Sequence, residues 1–440
     1  MTALLTNYQN WLYELQGTAQ KLHPAEFPLL AELSGVIKAE GGVVKYDPQF
    51  ERMTRAMDGN RDVFHGSQFR FPLMLAGMQA GGAVAESGTW NVPIPIDTSK
   101  ATGNLKRILQ PLAVSIDVER DSKRGDTSAM SIVENYVGEA YKAVARIEND
   151  MLHGNGDALL CNVASATGSG TLVVDVGTSA PWDQLTPGRV VDILTRSNGA
   201  NPGNGKRRKI ASVSRSGGTV TFSTTLQASD GDSGNITFSA NEGIYIAGSY
   251  GSGNAIQGLG QAVATTGTFE AIDKATVAQW QGVDATPSSA QPLSDTLLDD
   301  AVYRLRGNGV GASDFGIAHP KTVDLYKASK LSQVRLDPKE VVAPSGFAGI
   351  EYQGADRPFP ILKDLAAPRG RCRLVYKKAV KLYGDDKGPG FIDDDGSMWR
   401  FFSRQLVKEA DLLDRVEFAV MDCAKLATIG NATTSLTEAA

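Results

Sequence analysis

Cysteine is scarce here: Cys161, Cys372 and Cys423 are the only three in 440 residues. Their odd number and wide spacing exclude a disulfide framework and a cysteine-based zinc cluster, and fit folding in a reducing cytosol. Histidine is nearly as rare, and His23, His65, His153 and His319 show no paired spacing that would set two metal ligands on one helix. Excess positive charge is missing too: 44 Lys and Arg stand against 49 Asp and Glu, a net charge of -5. A sequence-specific reader of nucleic acid is normally strongly basic, so that class is disfavoured. Long apolar runs are absent as well. The most membrane-like stretch, Phe71 to Ala85, carries Pro72, three glycines and Gln79, and falls short of the ~20 residues a span needs. The opening MTALLTNYQNWLYELQ lacks the basic start and small-residue cleavage site of a secretory signal, so neither secretion nor a membrane location is expected.

What is present is a folded chain. Hydrophobic residues at 42% and charged residues at 21% exclude disorder, and the length suits two or three subdomains around sizeable cores. Glycine, 47 of 440 or about 11%, exceeds the usual ~7% and implies many turns.

Leu4, Leu5, Tyr8, Trp11, Leu12 and Leu15 recur at helical spacing in the first forty residues. No clean period survives from Gly41 to Ser87, which reads as an extended arm. Val92, Ile94 and Ile96 then alternate with polar residues and prolines, the stretch TSKATGN reads as a turn, and Val114, Ile116 and Val118 read as the return strand. Pro93 and Pro95 cannot donate to a ladder, so the outgoing strand must be an edge or leave the body. Such a long hairpin, Gly88 to Asp121, needs something to lie on, either its own domain or a neighbouring subunit. The hairpin is expected to lie on a neighbouring subunit, and deleting residues 97 to 104 to leave a folded, soluble monomer that fails to assemble.

A helix is expected next, from about Thr127 to Leu152, with Met130, Val133, Val137, Tyr141, Val144 and Met151 on one stripe, Asp126 or Thr127 as N-cap, and HGNG as the stop. From Leu159 to Gly267 short strands alternate with Gly-, Ser- and Thr-rich turns: TLVVDV, RVVDIL, RKIASV, GTVTFS, NITFS and GIYIAG. That spacing describes a small antiparallel module. Helical character returns at Leu293 to Leu305 and around Pro320 to Ala328. In RCRLVYKKAVKLY one parity carries Cys372, Leu374, Tyr376, Val380 and Leu382, the other Arg371, Arg373, Lys377 and Lys381; Trp399 to Lys408 is read as pairing back, with Arg400, Arg404 and Lys408 on one face.

Motifs for chemistry fail on inspection. GANPGNGKRR has the wrong glycine spacing for a phosphate loop, and Arg207 stands where Ser or Thr would hold magnesium. DGDSGN from Asp230 lacks the glycine and glutamate of a calcium loop, and Asp393, Asp394 and Asp395 read first as a turn. No G-x-S-x-G elbow occurs. The cluster KRRK at 206 to 209 reads as an exposed hairpin tip. No catalytic, cofactor or metal site is expected.

The order of elements carries more information than any motif. GGAVAESGTWNVPIP, a hairpin, LAVSIDVERDS and a long helix ending ARIENDMLHGNG resemble the major capsid proteins of tailed bacteriophages, the Hong Kong ninety-seven type of fold. LTPGRVVDIL with GTVTFSTTL, DFGIAHPKTVDLYKAS and DGSMWRFFSRQLVKEADLLDRVEFAVMDCAKLATI extend the likeness to roughly residues 80 to 428. The resemblance implies an α+β fold: N-terminal arm (1–85), extension-loop hairpin (86–122), spine helix of a peripheral domain (123–157), β-rich insertion (158–267), axial domain (268–370), and peripheral strands with the C-terminal return (371–440). It implies a non-enzymatic protein that tiles with itself, as hexamers and pentamers, into an icosahedral shell around double-stranded DNA. A separate scaffolding protein, a portal and a decoration protein are the further partners it implies. The virion is the implied location, with assembly in the host cytoplasm. Inter-subunit contacts are expected at Trp90, Val92, Ile94, Ile96, Leu105, Ile108 and Leu109, and a DNA-facing patch at Arg371, Arg373 and Lys377. An isopeptide cross-link through Lys100 or Lys106 is not expected. The alternatives are an encapsulin-like compartment and, from another class, a β-rich adhesin that binds glycan.

Overall fold

The apolar stripe beginning at Met130 does form one helix. The structure, a computed structural model, describes residues 27–33, 36–38, 44–46, 62–63, 68–76, 97–123, 127–164, 173–177, 180–200, 205–223, 240–250, 253–309, 313–333, 340–342, 348–352, 358–384, 389–392, 399–401 and 407–432. Within it Thr127–His153 is an unbroken helix of 27 residues, about 40 Å long at ~1.5 Å per residue. Val133, Val137, Ala140, Tyr141, Val144, Ala145 and Leu152 recur at three- and four-residue spacing and are all buried. The helix stops at Gly154, whose N–H donates to the Met151 carbonyl at 2.9 Å. Gly156 follows at φ +80, and a Cβ there would sit 2.2 Å from Gln261 Oε1. The Asp126 cap lies outside the described residues.

This helix lies across a sheet organised by one long strand, Val407–Val420. Along one edge Lys106–Ser115 pairs with it antiparallel, from Val416↔Lys106 to Val407↔Ser115. Along the other edge run Val380–Gly384, Gly390–Phe391 and Arg400–Phe401 in succession. Tyr141 faces this sheet, donating its hydroxyl to the Pro389 carbonyl at 3.3 Å and meeting Phe391 edge-on at 6.0 Å.

The hairpin is arranged differently from the sequence expectation. TSKATGN is a strand: Asp97–Asn104 pairs antiparallel with Gln68–Ala76 as a two-stranded ribbon. Lys106–Ser115 pairs with the long strand instead, and Ile116–Lys123 is a helix. Composition explains the misreading. Ala101 and Gly103 are the inward residues of Asp97–Asn104, and Gly103 is required because the Phe69 ring occupies the space a Cβ would take, 2.2 Å away. Small inward residues leave no apolar alternation to read. At the other end Ser115 Oγ accepts from the Asp117 N–H at 3.3 Å, starting a helix where alternation suggested a strand. Deleting 97–104 would therefore strip Gln68–Ala76 of its partner.

The segment after the long helix is a six-stranded antiparallel sheet, in the spatial order Leu159–Asn162, Glu242–Ile246, Val190–Thr195, Arg208–Ser214, Thr219–Phe222, Val173–Asp175. The expected strand NITFS lies outside the described residues. Its core residues, among them Trp182, Leu185, Ile193 and Phe222, merge with those under the long helix into one apolar cluster.

A seven-stranded mixed sheet completes the fold, ordered Val283–Asp284, Ala427–Ile429, Cys372–Val375, Phe315–Ala318, Phe359–Lys363, Ala348–Tyr352, Glu340–Val342. Its core includes Leu298 and Leu305 of helix Asp295–Gly307 and Tyr326 of helix Pro320–Gln333. RCRLVYKKAVKLY is thus not one strand. Cys372–Val375 belongs to this sheet, a 3-10 turn spans Lys377–Ala379, and Val380–Gly384 belongs to the sheet of the long strand. Trp399 to Lys408 likewise splits, since Phe401 pairs with Lys408 across two strands; Arg404 lies outside the described residues.

Candidate functional site

No group of three or more His, Cys, Asp or Glu is placed to hold a metal among the described residues, and no helix among them is long and apolar enough to cross a membrane. The three cysteines are buried free thiols. Burial pushes the Cys161 and Cys372 thiols up to about 12, away from the reactive thiolate range. The features that remain are surfaces and the buried groups that hold them rigid.

The expected contact residues divide. Trp90, Val92, Ile94 and Ile96 lie outside the described residues. Leu105 is half-buried. Ile108 is 5% exposed and packs in its own chain's core, which corrects the expectation that it meets a neighbour. The alternation of Lys106–Ser115 turns Lys106, Ile108 and Val114 inward and Arg107, Leu109, Pro111, Ala113 and Ser115 outward. Leu109 is 53% exposed on that outer face. No second strand pairs with its free edge among the described residues. Ile132 and Tyr136, one helical turn apart on the long helix, are 39% and 46% exposed. Large apolar side chains held outward on rigid elements suit contact with another chain.

The expected basic patch is not a patch. Arg371 is exposed, but Arg373 is 2% exposed and donates Nη1 to the His153 carbonyl at 2.7 Å. Burial, with Arg371 nearby, lowers the Arg373 guanidinium to about 9. The reason is that Cys372–Val375 is covered on both faces, so its off-parity residues also point into protein. Lys377 is ion-paired with buried Glu32 and lies 5.8 Å over the Phe315 ring.

Where the long helix ends, buried polar groups lock the sheets together. His153 Nε2 lies 3.1 Å from Asp364 Oδ2, and both side chains are 2% exposed. Asp364 also accepts from Asn149 Nδ2 at 3.2 Å, the Ala366 N–H at 2.8 Å and the Leu29 N–H at 3.4 Å. Burial alone would raise this carboxyl; His153 and the two backbone donors outweigh it and hold it below its ordinary value. Asp150, 2.7 Å from Arg189, goes the other way, because its desolvation exceeds the pull of Arg189. On the far side Asp183 binds His319 at 3.2 Å and Arg369 at 3.1 Å. The six-stranded sheet is thereby tied to the helix through Arg189 and to the seven-stranded sheet through Asp183.

A second buried cluster anchors the ribbon. The Thr102 N–H donates to the Glu270 carbonyl at 3.0 Å, and the Glu270 carboxylate accepts from the Val420 N–H at 2.8 Å. Glu417 accepts from the Gln257 N–H at 2.7 Å and lies 4.0 Å from Lys106 Nζ. Lys274 donates to the Gln261, Ala262 and Ala264 carbonyls at 2.5–2.9 Å. Lys106, at 8% exposed, is held inside its own chain, whereas Lys100 is exposed on the ribbon. Sequence reasoning missed both clusters, because the paired groups lie far apart in the chain and no local pattern marks them.

No protein-family model matches the sequence, and no curated protein matches it. Solved structures do. A chain of the cyanophage A-1(L) capsid asymmetric unit superposes with a TM-score of 0.52 at 11% identity, over 91% of this chain and 96% of that one. The holo-SrpI encapsulin of Synechococcus elongatus gives 0.44 at 11% identity over 88% and 89%, and Mycobacterium phage Patience gives 0.40 at 10% over 91% and 91%. The cyanophage likeness shows the fold: this chain folds as a phage capsid subunit does, along nearly its whole length.

Proposed function

We propose that the chain is a shell subunit whose copies assemble into the icosahedral capsid of a tailed phage, enclosing double-stranded DNA. The observation that carries the reading is the capsid fold matched end to end, over 91% of this chain and 96% of the cyanophage chain. In that reading Thr127–His153 is the spine helix, the ribbon Gln68–Ala76 with Asp97–Asn104 is the base of the extension loop, and the seven-stranded sheet is the axial domain. The six-stranded sheet is the β-rich insertion, clamped on one side by the buried Asp150–Arg189 pair and on the other by half-buried Asp183 with His319 and Arg369. Function is binding without chemistry, performed in the virion after assembly in the host cytoplasm. A scaffolding protein, a portal and a decoration protein are the further partners.

Leu109 offers a test on one residue. It is exposed in the single chain, so Leu109→Asp is expected to change folding stability by no more than about 0.5 kcal/mol. Covered by a neighbour, the new charge would be desolvated without a partner, and assembly followed by light scattering is expected to fail. Shells of Leu109→Asp forming at the wild-type yield would overturn the role given to this face.

A further inference from the structure

His319 stands where two sheets meet, and its ring bonds to both. It follows strand Phe315–Ala318 of the seven-stranded sheet and opens helix Pro320–Gln333, whose Thr322 and Val323 N–H groups donate to its carbonyl at 2.9 and 3.2 Å. The Lys321 N–H donates to ring atom Nδ1 at 3.2 Å. A backbone N–H can only donate, so Nδ1 accepts and carries no proton, and the neutral ring holds its proton on Nε2. Nε2 lies 3.2 Å from Oδ2 of Asp183, in the turn before strand Val190–Thr195 of the six-stranded sheet. The His319 side chain is 4% exposed. One rigid ring thus serves both as helix cap and as tie.

The charges around the ring decide what a second proton does. Arg369 donates Nη2 to the same Asp183 Oδ2 at 3.1 Å, and Arg215 stands 3.9 Å from Oδ1. Lys321 follows on the helix itself. Asp364, whose N–H donates to the Ala318 carbonyl at 3.0 Å, directs its carboxylate to His153 and Asn149, and Lys363 pairs with Asp324 at 2.6 Å. Asp183 is then the carboxylate that meets the ring, and it is shared with two arginines. A second proton has to go on Nδ1, where it faces the Lys321 N–H, donor against donor, at the positive end of a helix. Turning the ring to relieve that contact also withdraws Nε2 from Asp183. Burial, opposed by Asp183 and reinforced by Arg369 and Lys321, holds the ring below its ordinary 6.5. Burial would raise the Asp183 carboxyl, but the hydrogen bonds from Arg369 and His319 outweigh it and hold it below 3.8. What the ring contributes is therefore present above pH 6.5 and lost as pH falls through its folded value.

We infer that His319 is an acid-operated joint: in mild acid a proton on Nδ1 uncaps helix Pro320–Gln333 and releases the turn at Asp183 from it. The six-stranded sheet is then held on that side by Arg369 and by Gln184, whose Nε2 donates to the Ala366 carbonyl at 2.9 Å. It gains play against the seven-stranded sheet while both stay folded. The joint belongs to the single chain and stands apart from the shell reading.

The test uses the full-length chain, assembled or not, and mass spectrometry of its peptides. Deuterium exchange at the His319 Cε1–H gives the midpoint of the ring, and amide exchange, corrected for its intrinsic dependence on pH, gives local opening. The ring is expected to titrate below 6.5. Between about pH 7 and about pH 5, protection at 182–185 and 321–323 is expected to fall about tenfold while strand Val190–Thr195 keeps its own. His319→Asn keeps an acceptor for the first turn of the helix but takes up no proton, and is expected to show no such fall. Asp183→Asn removes the opposing carboxylate, so the His319 midpoint is expected to drop further. A wild-type midpoint at or above 6.5 overturns the inference, as does a loss of protection that His319→Asn shares. An unchanged or raised midpoint in Asp183→Asn overturns it too, and that variant decides the matter if His319→Asn does not fold.

Discussion

Asp364→Ala is expected to lower folding stability by about 3–5 kcal/mol, the usual cost of removing one partner from a buried ionic network. Asp364 is 2% exposed and accepts from His153, Asn149, Leu29 and Ala366. Its removal leaves each of those groups buried with less than it had. Because Asp364 is held below its ordinary value of 3.8, its contribution is present above that pH and lost as pH falls through the folded value. Asp364→Ala should therefore differ most from wild type near neutrality, and the gap should narrow in strong acid. Urea denaturation at several pH values measures this; equal midpoints for the two proteins at neutral pH would show that the network does not lock the sheets.

Glu417→Gln is expected to act in the opposite direction as pH rises. Burial pushes the Glu417 carboxyl from its ordinary 4.5 up to about 8, against the backbone donors and Lys106, which pull it down. Glu270, also desolvated and near Glu417, is raised as well. From 4.5 to about 8 the folded chain holds a proton at Glu417 that the unfolded chain has released, so folding stability falls across that interval. Glutamine has no proton to lose. Wild type is expected to weaken between about pH 5 and pH 8, and Glu417→Gln to weaken less, so that the variant gains on wild type toward alkaline pH. Parallel stability curves over that range would show that Glu417 is not buried as a neutral acid. The group lies where the ribbon joins the sheet, so alkaline loosening should begin there, with early hydrogen exchange at Thr102.

The sequence made some of this legible and hid the rest for definite reasons. The helix at Thr127–His153 could be read because Val133, Val137, Tyr141 and Val144 are large, inward and evenly spaced. The strands of the six-stranded sheet could be read from β-branched runs set between turn residues. The ribbon could not, because Ala101 and Gly103 face inward and small side chains carry no period. Arg373 was taken for a surface cation because its parity matched Arg371; its burial depends on the His153 carbonyl, 220 residues away. Ile108 and Leu109 are neighbours of similar polarity, and only the pairing of Lys106–Ser115 with Val407–Val420 decides which one faces the core. The cations at 206 to 209 were visible as a cluster. That Asp192 and Glu242 of the same segment turn inward was not.

The central claim is that copies of this chain close into a shell, and negative-stain electron microscopy of the purified protein tests it most directly. The account predicts shells, or curved lattices of six-fold and five-fold rings, that grow with protein concentration. Dispersed monomers or trimers alone, at every concentration and salt, would contradict it.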